Sequence, residues 1–439
     1  MKKIMYRSYF AFLIAIAVVL GVGVYLVRLW TQGDEWVMLR ANQSVFSEGI
    51  LNTGVLTDRN GIVLAKAGDG VYSYAEDETV RKSCFHVVGD YTGNIGTGAL
   101  SLFDDRLAGY DRISGTAGIS GKGSTVRLSV DSRLNATAYE ALAGRRGAVL
   151  VSDYKTGEIL CMVSTPSYDP NTTPDLTDAN YEGVFINRTI GATYTPGSVF
   201  KLVTLAAAID YLPDLQNMTF YCGGSENVGG DIVACTGTHG TQNIEEALAH
   251  SCNCAFSQLA QKLGADKISE YAEEFGLTES LDLCGAETRA GSFERAENGS
   301  SDLSWSAIGQ YTDLVSPYAM LRLVSSIANG GVVEEPTLLK GGRTEKTRLL
   351  KETTADRIAS MMNYNVVYGY GENLFPGLKI CAKTGTAEVG NNTDHAWIVG
   401  FLDDSEHPLA FSVIIENGGG GLVNAGALAN TVLQAAVAK

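Results

Sequence analysis

Apolar and polar positions divide the chain into stretches of different period. The first, Ser8 to Val27 (SYFAFLIAIAVVLGVGVYLV), carries no charged side chain. At ~1.5 Å of rise per helical residue it is long enough to cross a hydrocarbon core of ~30 Å. Lys2, Lys3 and Arg7 precede it, so the positive-inside rule keeps the N-terminus in the cytoplasm and everything after Arg28 outside. A cleaved signal peptide has an apolar region of only ~7–15 residues that ends in small side chains. This run ends in Tyr25-Leu26-Val27-Arg28-Leu29-Trp30, and a single-pass, uncleaved anchor is expected.

Beyond the anchor the pattern turns to short alternating segments. Gly54 to Ala65 reads strand, Asn60-Gly61 turn, strand. Gly147 to Val163 (GAVLVSDYKTGEILCMV) repeats that form with longer strands, after a helical stretch that ends at Arg145 and Arg146. A helix-rich middle follows from about 197 to 365, then strands from 378 to 416, then a last helix over about 423 to 438. Strands at both ends of a helical middle predict an α+β fold, with an antiparallel sheet assembled from the two ends. We divide the chain into residues 1–30 (tail and anchor), 31–145 (a small mixed juxtamembrane domain) and 146–439 (the main domain).

The net charge of −16 offers no basic footprint, so nucleic acid is excluded as a partner. Eight cysteines in a chain this long do not make a disulfide framework. Cys222 and Cys235 flank a glycine-rich stretch where an external location permits a bridge. Cys252 and Cys254 are too close to pair. Cys161 and Cys381 read as small buried hydrophobes. The spacings suggest no zinc site, and no metal is expected.

Three short motifs carry candidate chemistry, and each has a decoy. Ser-x-x-Lys occurs at Ser198-Val199-Phe200-Lys201 and at Ser152 to Lys155. The chemistry needs both side chains on one face of a helix, where positions i and i+3 are neighbours. Ser198 meets this: a break at Tyr194-Thr195-Pro196-Gly197 precedes an apolar helix ending near Tyr211-Leu212-Pro213. A lysine in so apolar a helix is costly unless it finds partners or loses its proton. Ser152 to Lys155 lies in a strand and turn, where i and i+3 point to opposite faces. Lys155-Thr156-Gly157 is rejected with it as a hairpin turn. Ser251-Cys252-Asn253 sits at a break between two helices and can aim both polar side chains into a cleft; Ser225-Glu226-Asn227 lies in the glycine-rich stretch and is rejected. Leu378 to Glu388 alternates as a strand, with Lys383, Gly385 and Ala387 on one face and Thr384 and Thr386 on the other. A glycine within it suggests close approach by a neighbour. His395 and Trp397 read as packing residues.

In this order, Ser-x-x-Lys, Ser-x-Asn and Lys-Thr-Gly-Thr resemble the penicillin-recognising acyl transferases. The run Ala382 to Glu388 followed by His395 to Phe401 is similar to class B penicillin-binding proteins. So are Cys235 to Gly240, Ala307-Ile308-Gly309-Gln310, Ser316-Pro317 and Ile327 to Gly331. The family usually has glycine after that glutamine; here it is Tyr311. Asp58-Arg59-Asn60-Gly61 resembles the hairpin that follows the anchor in that family, with Thr53-Gly54 in place of its usual Arg-Gly.

The resemblance implies a serine β-lactamase/transpeptidase-like domain and a peptidoglycan D,D-transpeptidase, acylated by β-lactams and needing no cofactor. It implies Ser198 as nucleophile, Lys201 as its base, Ser251 as proton relay and Asn253 as clamp for the substrate amide. Lys383, Thr384 and Thr386 are implied to bind the terminal carboxylate, Gly385 to line the strand, and the N–H groups of Ser198 and Thr386 to form an oxyanion hole. Lys201 is expected to be held neutral by burial and by the charge of Lys383. Stem peptides of peptidoglycan are the implied substrate. No glycosyltransferase domain fits before residue 147, which implies a membrane glycan polymerase as partner. A D,D-carboxypeptidase or β-lactamase of the same superfamily, and a non-catalytic receptor or scaffold, are the alternatives.

Overall fold

The computed structural model describes residues 2–32, 46–47, 50–51, 53–68, 71–111, 116–117, 123–172, 174–390 and 393–438. Parts of the proposed 31–145 segment, notably 33–45, lie outside them. The apolar run is a helix, α1 (Lys2–Gln32), and among the described residues it is the one helix long and apolar enough to cross a membrane.

The hairpin expected over Gly54 to Ala65 is β1 (Gly54–Thr57) and β2 (Val63–Gly68). β3 (Val71–Tyr74) extends it on one side, and β4 (Thr125–Arg127) pairs parallel to β1 on the other. Its turn is not a free surface loop. One oxygen of Asp58 accepts from the N–H groups of Asn60 and Ile62, closing the turn at Gly61, whose φ is 87°. The other accepts from the Ser132 hydroxyl at 2.8 Å, at the start of α2 (Ser132–Leu142).

The main sheet has five antiparallel strands: β5 (Gly147–Asp153), β6 (Ile159–Thr165) and three later strands. Between them lie α3 (Lys201–Tyr211), four short strands β7 (Phe220–Cys222), β8 (Ser225–Val228), β9 (Asp231–Ala234) and β10 (Gly240–Gln242), in which β7 pairs with β10 and β8 with β9, then α4 (Ile244–Ala249), α5 (Asn253–Leu263) and α6 (Pro317–Ala328). β11 (Ile380–Glu388), β12 (Asp394–Leu402) and β13 (Leu409–Ile415) complete the sheet in the order β6-β5-β13-β12-β11, and α7 (Ala427–Val437) follows. Both ends of the segment therefore build one sheet, and the fold is α+β.

Both faces of the sheet are covered, which is why its strands read as nearly unbroken apolar runs. Side chains alternate between two cores. Ala148, Leu150, Trp397 and Val399 join the core containing α3 and α6. Val149, Val151, Ala396 and Ile398 join the core containing Leu134, Ala138 and Leu142 of α2 and Leu428 and Val432 of α7. At ~1.5–3 kcal/mol for each fully buried large apolar side chain, these layers fix the strand register. The helix α2, which precedes residue 145 in sequence, thus packs on the outer face of the main sheet. Cys161 and Cys381 are buried in the sheet as small apolar groups.

Candidate active site

The nucleophile turn is held by close backbone contacts. Gly197 has φ 55°, and its N–H donates to the Gly309 carbonyl at 2.8 Å. A Cβ on Gly309, whose φ is 78°, would lie 2.1 Å from the Gly197 oxygen. Residues Gly197–Phe200 form a 3-10 turn that runs into α3, so Ser198 precedes the α-helix rather than lying inside its first turn. The tighter turn eclipses i and i+3, and Nζ of Lys201 comes within 3.1 Å of Oγ of Ser198. Pro213, just beyond the Leu212 cap, keeps α3 from continuing.

Ser251 lies between α4, opened by a capping box of Asn243 and Glu246, and α5. Its φ of 50° is in the left-handed region, a strained conformation for serine. This backbone turn aims three acceptors at Lys201: the Ser251 carbonyl at 2.6 Å, the Ser251 hydroxyl at 3.2 Å and Asn253 Oδ1 at 2.8 Å. Asn253 is fixed from its other side by the Ala234 carbonyl, 3.0 Å from Nδ2.

Lys383 reaches the same hydroxyl from the sheet, with Nζ 3.0 Å from Ser251 Oγ and 3.0 Å from the Thr384 carbonyl. Ser198, Lys201, Ser251 and Lys383 therefore form an unbroken chain of hydrogen-bond contacts. Both lysines are fully buried, and among the described residues neither pairs with a carboxylate. Burial pushes Lys201 down to about 7. Lys383 is pushed well below the usual ammonium range, by burial first and by the charge of Lys201 second. Of the two causes expected from the sequence for Lys201, burial is the larger, and the nearby thiols Cys235, Cys252 and Cys254 act in the opposite sense.

β11 is the open edge of the sheet. The N–H of Thr384 donates to the Tyr370 hydroxyl at 2.7 Å rather than to a strand partner, and its carbonyl accepts from Lys383. By the two-residue period of strands the N–H and C=O of Thr386 face the same open side. The Thr384 hydroxyl meets Tyr370 Oη at 2.9 Å, and the Thr386 hydroxyl accepts from the Gly421 N–H at 3.1 Å. Gly385 is needed because a Cβ there would lie 2.7 Å from the Pro196 oxygen and 3.3 Å from Val199. The close neighbour is thus the turn around Ser198, not its hydroxyl. Trp397 is fully buried and donates to the Thr195 carbonyl at 3.0 Å; His395 packs edge-on against Tyr194.

A hydroxyl beside an amine that burial makes easy to deprotonate, a second hydroxyl between two amines, and an open strand edge can together perform acyl transfer from a peptide. Comparison with known proteins agrees. The penicillin binding protein transpeptidase domain model matches residues 147–434. The chain belongs to the penicillin-binding protein transpeptidase family. Within it, the peptidoglycan D,D-transpeptidase PbpA of Mycolicibacterium smegmatis is 31% identical over 386 residues, covering 76% of this chain and 76% of that protein. Stage V sporulation protein D of Bacillus subtilis is 29% identical over 343 residues, covering 71% and 52%. Among solved structures, the D,D-transpeptidase domain from Eggerthella lenta superposes with a TM-score of 0.75 at 28% identity, covering 88% of this chain and 98% of that one. The imipenem acyl-enzyme of penicillin-binding protein A from M. tuberculosis gives 0.76 at 26% identity, covering 88% and 98%. These relatives make this chain a class B penicillin-binding protein.

Three features escape the motifs. Tyr370 occupies the strand edge from a wide helical turn, Asn365–Tyr370. Tyr311, where the family usually has glycine, holds φ 64° with its ring exposed. The third is a cysteine cluster. Cys222 and Cys235, between which the sequence left a bridge open, are not joined: all cysteines are free. Instead, among the described residues, Cys222, Cys235, His239 and Cys252 bring their ligand atoms within 4.8 Å of one another. Sequence spacing suggested no metal site because these residues converge only through folding.

Proposed function

We propose that this penicillin-binding protein is a serine-type D,D-transpeptidase that cross-links peptidoglycan stem peptides through an acyl-enzyme on Ser198. The observation that carries the reading is the contact chain Ser198–Lys201–Ser251–Lys383, in which two buried amines flank one hydroxyl. Neutral Lys201 takes the Ser198 proton as Oγ attacks the penultimate carbonyl of a D-alanyl-D-alanine end. The N–H groups of Ser198 and Thr386 receive the oxyanion. As the C–N bond breaks, the proton passes from Lys201 through Ser251 to the departing D-alanine. An amine from a second stem then attacks the ester, gives up a proton along the same path and restores the Ser198 hydroxyl. Asn253 holds the substrate amide. Lys383, Thr384 and Thr386 bind the terminal carboxylate, whose negative charge restores the proton on Lys383. β-Lactams enter by the same attack, as in the acyl-enzyme of the M. tuberculosis relative.

Residues 1–30 anchor the chain in the membrane with the N-terminus in the cytoplasm, residues 31–145 form a pedestal, and residues 146–439 carry the chemistry outside. A membrane glycan polymerase is the proposed partner. A structural neighbour supports an assembly role: the penicillin-binding protein PBP2 of Helicobacter pylori, solved in complex with MreC, matches at a TM-score of 0.64.

The test is product analysis. The purified chain is incubated with a stem peptide ending in D-alanyl-D-alanine and an amine acceptor. A cross-linked dimer with release of D-alanine supports the transpeptidase. Release of D-alanine with only hydrolysed peptide makes it a carboxypeptidase and overturns the reading.

A further inference from the structure

We propose that Cys222, Cys235, His239 and Cys252 form a tetrahedral zinc site that fixes the Ser251-Cys252-Asn253 loop of the catalytic groove. The four ligands come from separate segments. Cys222 ends β7, and Cys235 follows β9. His239 immediately precedes β10, whose Gly240 pairs with Cys222. Cys252 caps α5, accepting from the Ala255 N–H.

All four donor atoms lie within 4.8 Å of one another, and two of their six separations match the edges of a zinc tetrahedron. A tetrahedron with Zn–S of ~2.3 Å and Zn–N of ~2.0–2.1 Å has S···S edges of ~3.8 Å and S···N edges of ~3.6 Å. Cys235 Sγ lies 3.8 Å from Cys252 Sγ and 3.6 Å from His239 Nδ1. A disulfide needs ~2.05 Å between sulfurs. Three thiolates and an imidazole are a soft donor set that suits zinc and excludes calcium and magnesium, which take oxygen. On binding, the three thiols release their protons to solvent as three Zn–S bonds form, and neutral His239 donates a lone pair from Nδ1. Cys222 and Cys252 are fully buried, while Cys235 and His239 are partly open and give the ion its entry. Outside the ligands, the His239 ring stacks on His250 at 4.9 Å and 3°, and His250 is held by Gln242 at 2.9 Å.

The consequence lies one residue away. Cys252 sits between Ser251 and Asn253, the two residues that hold Lys201, and the Asn253 N–H also donates to Cys235 Sγ at 3.3 Å. A metal on these sulfurs ties the β7–β10 segment to the left-handed turn at Ser251. The site assignment stands independently of the substrate proposed above; its positioning role rests on that reading of Ser251 and Asn253.

The experiment uses the full chain purified in detergent. Elemental analysis by mass spectrometry is expected to find one zinc per chain, and cobalt exchange to give the visible bands of a tetrahedral thiolate site. Cys222→Ser and His239→Ala are expected to lose the metal, whereas Cys284→Ser, outside the cluster, keeps it. A wild-type protein that melts cooperatively yet holds no zinc and gives no cobalt bands overturns the site. So does a native mass showing Cys235 and Cys252 joined as a disulfide, or metal retained in both ligand variants. For the positioning role, chelation is expected to slow acylation by a fluorescent penicillin and added Zn²⁺ to restore it. An unchanged rate after complete metal removal overturns that role while leaving the site assignment to the metal analysis.

Discussion

Lys201 and Ser251 are joined twice: Nζ of the lysine lies 2.6 Å from the carbonyl oxygen of the serine and 3.2 Å from its hydroxyl. The pairing depends on Ser251 holding a left-handed backbone, which turns carbonyl and side chain toward the same amine. None of these partners is anionic, so the interactions orient Lys201 without stabilising its charge as a carboxylate would. The amine is therefore both fixed and readily deprotonated.

A pH profile follows. Burial holds Lys201 at about 7, and its neutral form is the base, so the reactive fraction grows as pH rises through that value. The acylation rate constant with a fluorescent penicillin is expected to climb by about tenfold per pH unit below 7 and to level off above it. Stopped-flow or gel-based rates across about pH 5 to 9 check this. A rate that falls as pH rises through 7 contradicts it.

Gly309→Ala is expected to damage both stability and chemistry. The added Cβ meets the Gly197 oxygen at 2.1 Å, and a left-handed φ disfavours any side chain. A loss of roughly 1–3 kcal/mol in denaturant unfolding is expected, since the strain falls on a turn fixed from both sides. Penicillin acylation slows with it, because Gly309 positions the peptide that carries Ser198. Unchanged acylation in the folded variant contradicts the buttress role.

Arg188 and Glu416 form a largely buried pair at 2.7 Å, with Tyr194 donating to the same carboxylate oxygen at 2.8 Å. It links the segment leading to the nucleophile turn with the residue just past β13. Glu416→Leu leaves the guanidinium of Arg188 without its counter-charge. A destabilisation of roughly 3–5 kcal/mol is expected in chemical denaturation, larger than for removal of an exposed pair. A change under about 1 kcal/mol would show the pair to be incidental.

Local period made much of this legible in the sequence. Ser198 and Lys201 are three apart at a helix entrance, and Lys383, Thr384 and Thr386 follow a strand's alternation, so their faces could be assigned before any tertiary contact was known. The antiparallel sheet was legible because its strands carry long apolar runs near both ends of the segment. What was hidden depends on contacts between distant segments. Gly309 matters only because its backbone meets Gly197. Tyr370 reaches Thr384 from a wide turn that no short pattern marks. The sulfurs and imidazole converge only when β7 pairs with β10 and α5 docks beside them, so linear spacing gave no sign of the cluster. The depth of desolvation of Lys201 and Lys383 was hidden for a related reason: it is a property of the packed core.

The most direct measurement is intact-protein and peptide mass spectrometry after incubation with benzylpenicillin. The wild-type chain is expected to gain the mass of one ring-opened penicillin, with the adduct on the peptide containing Ser198, and Ser198→Ala is expected to remain unmodified. An unlabelled wild-type protein, or an adduct that persists in Ser198→Ala, contradicts the account.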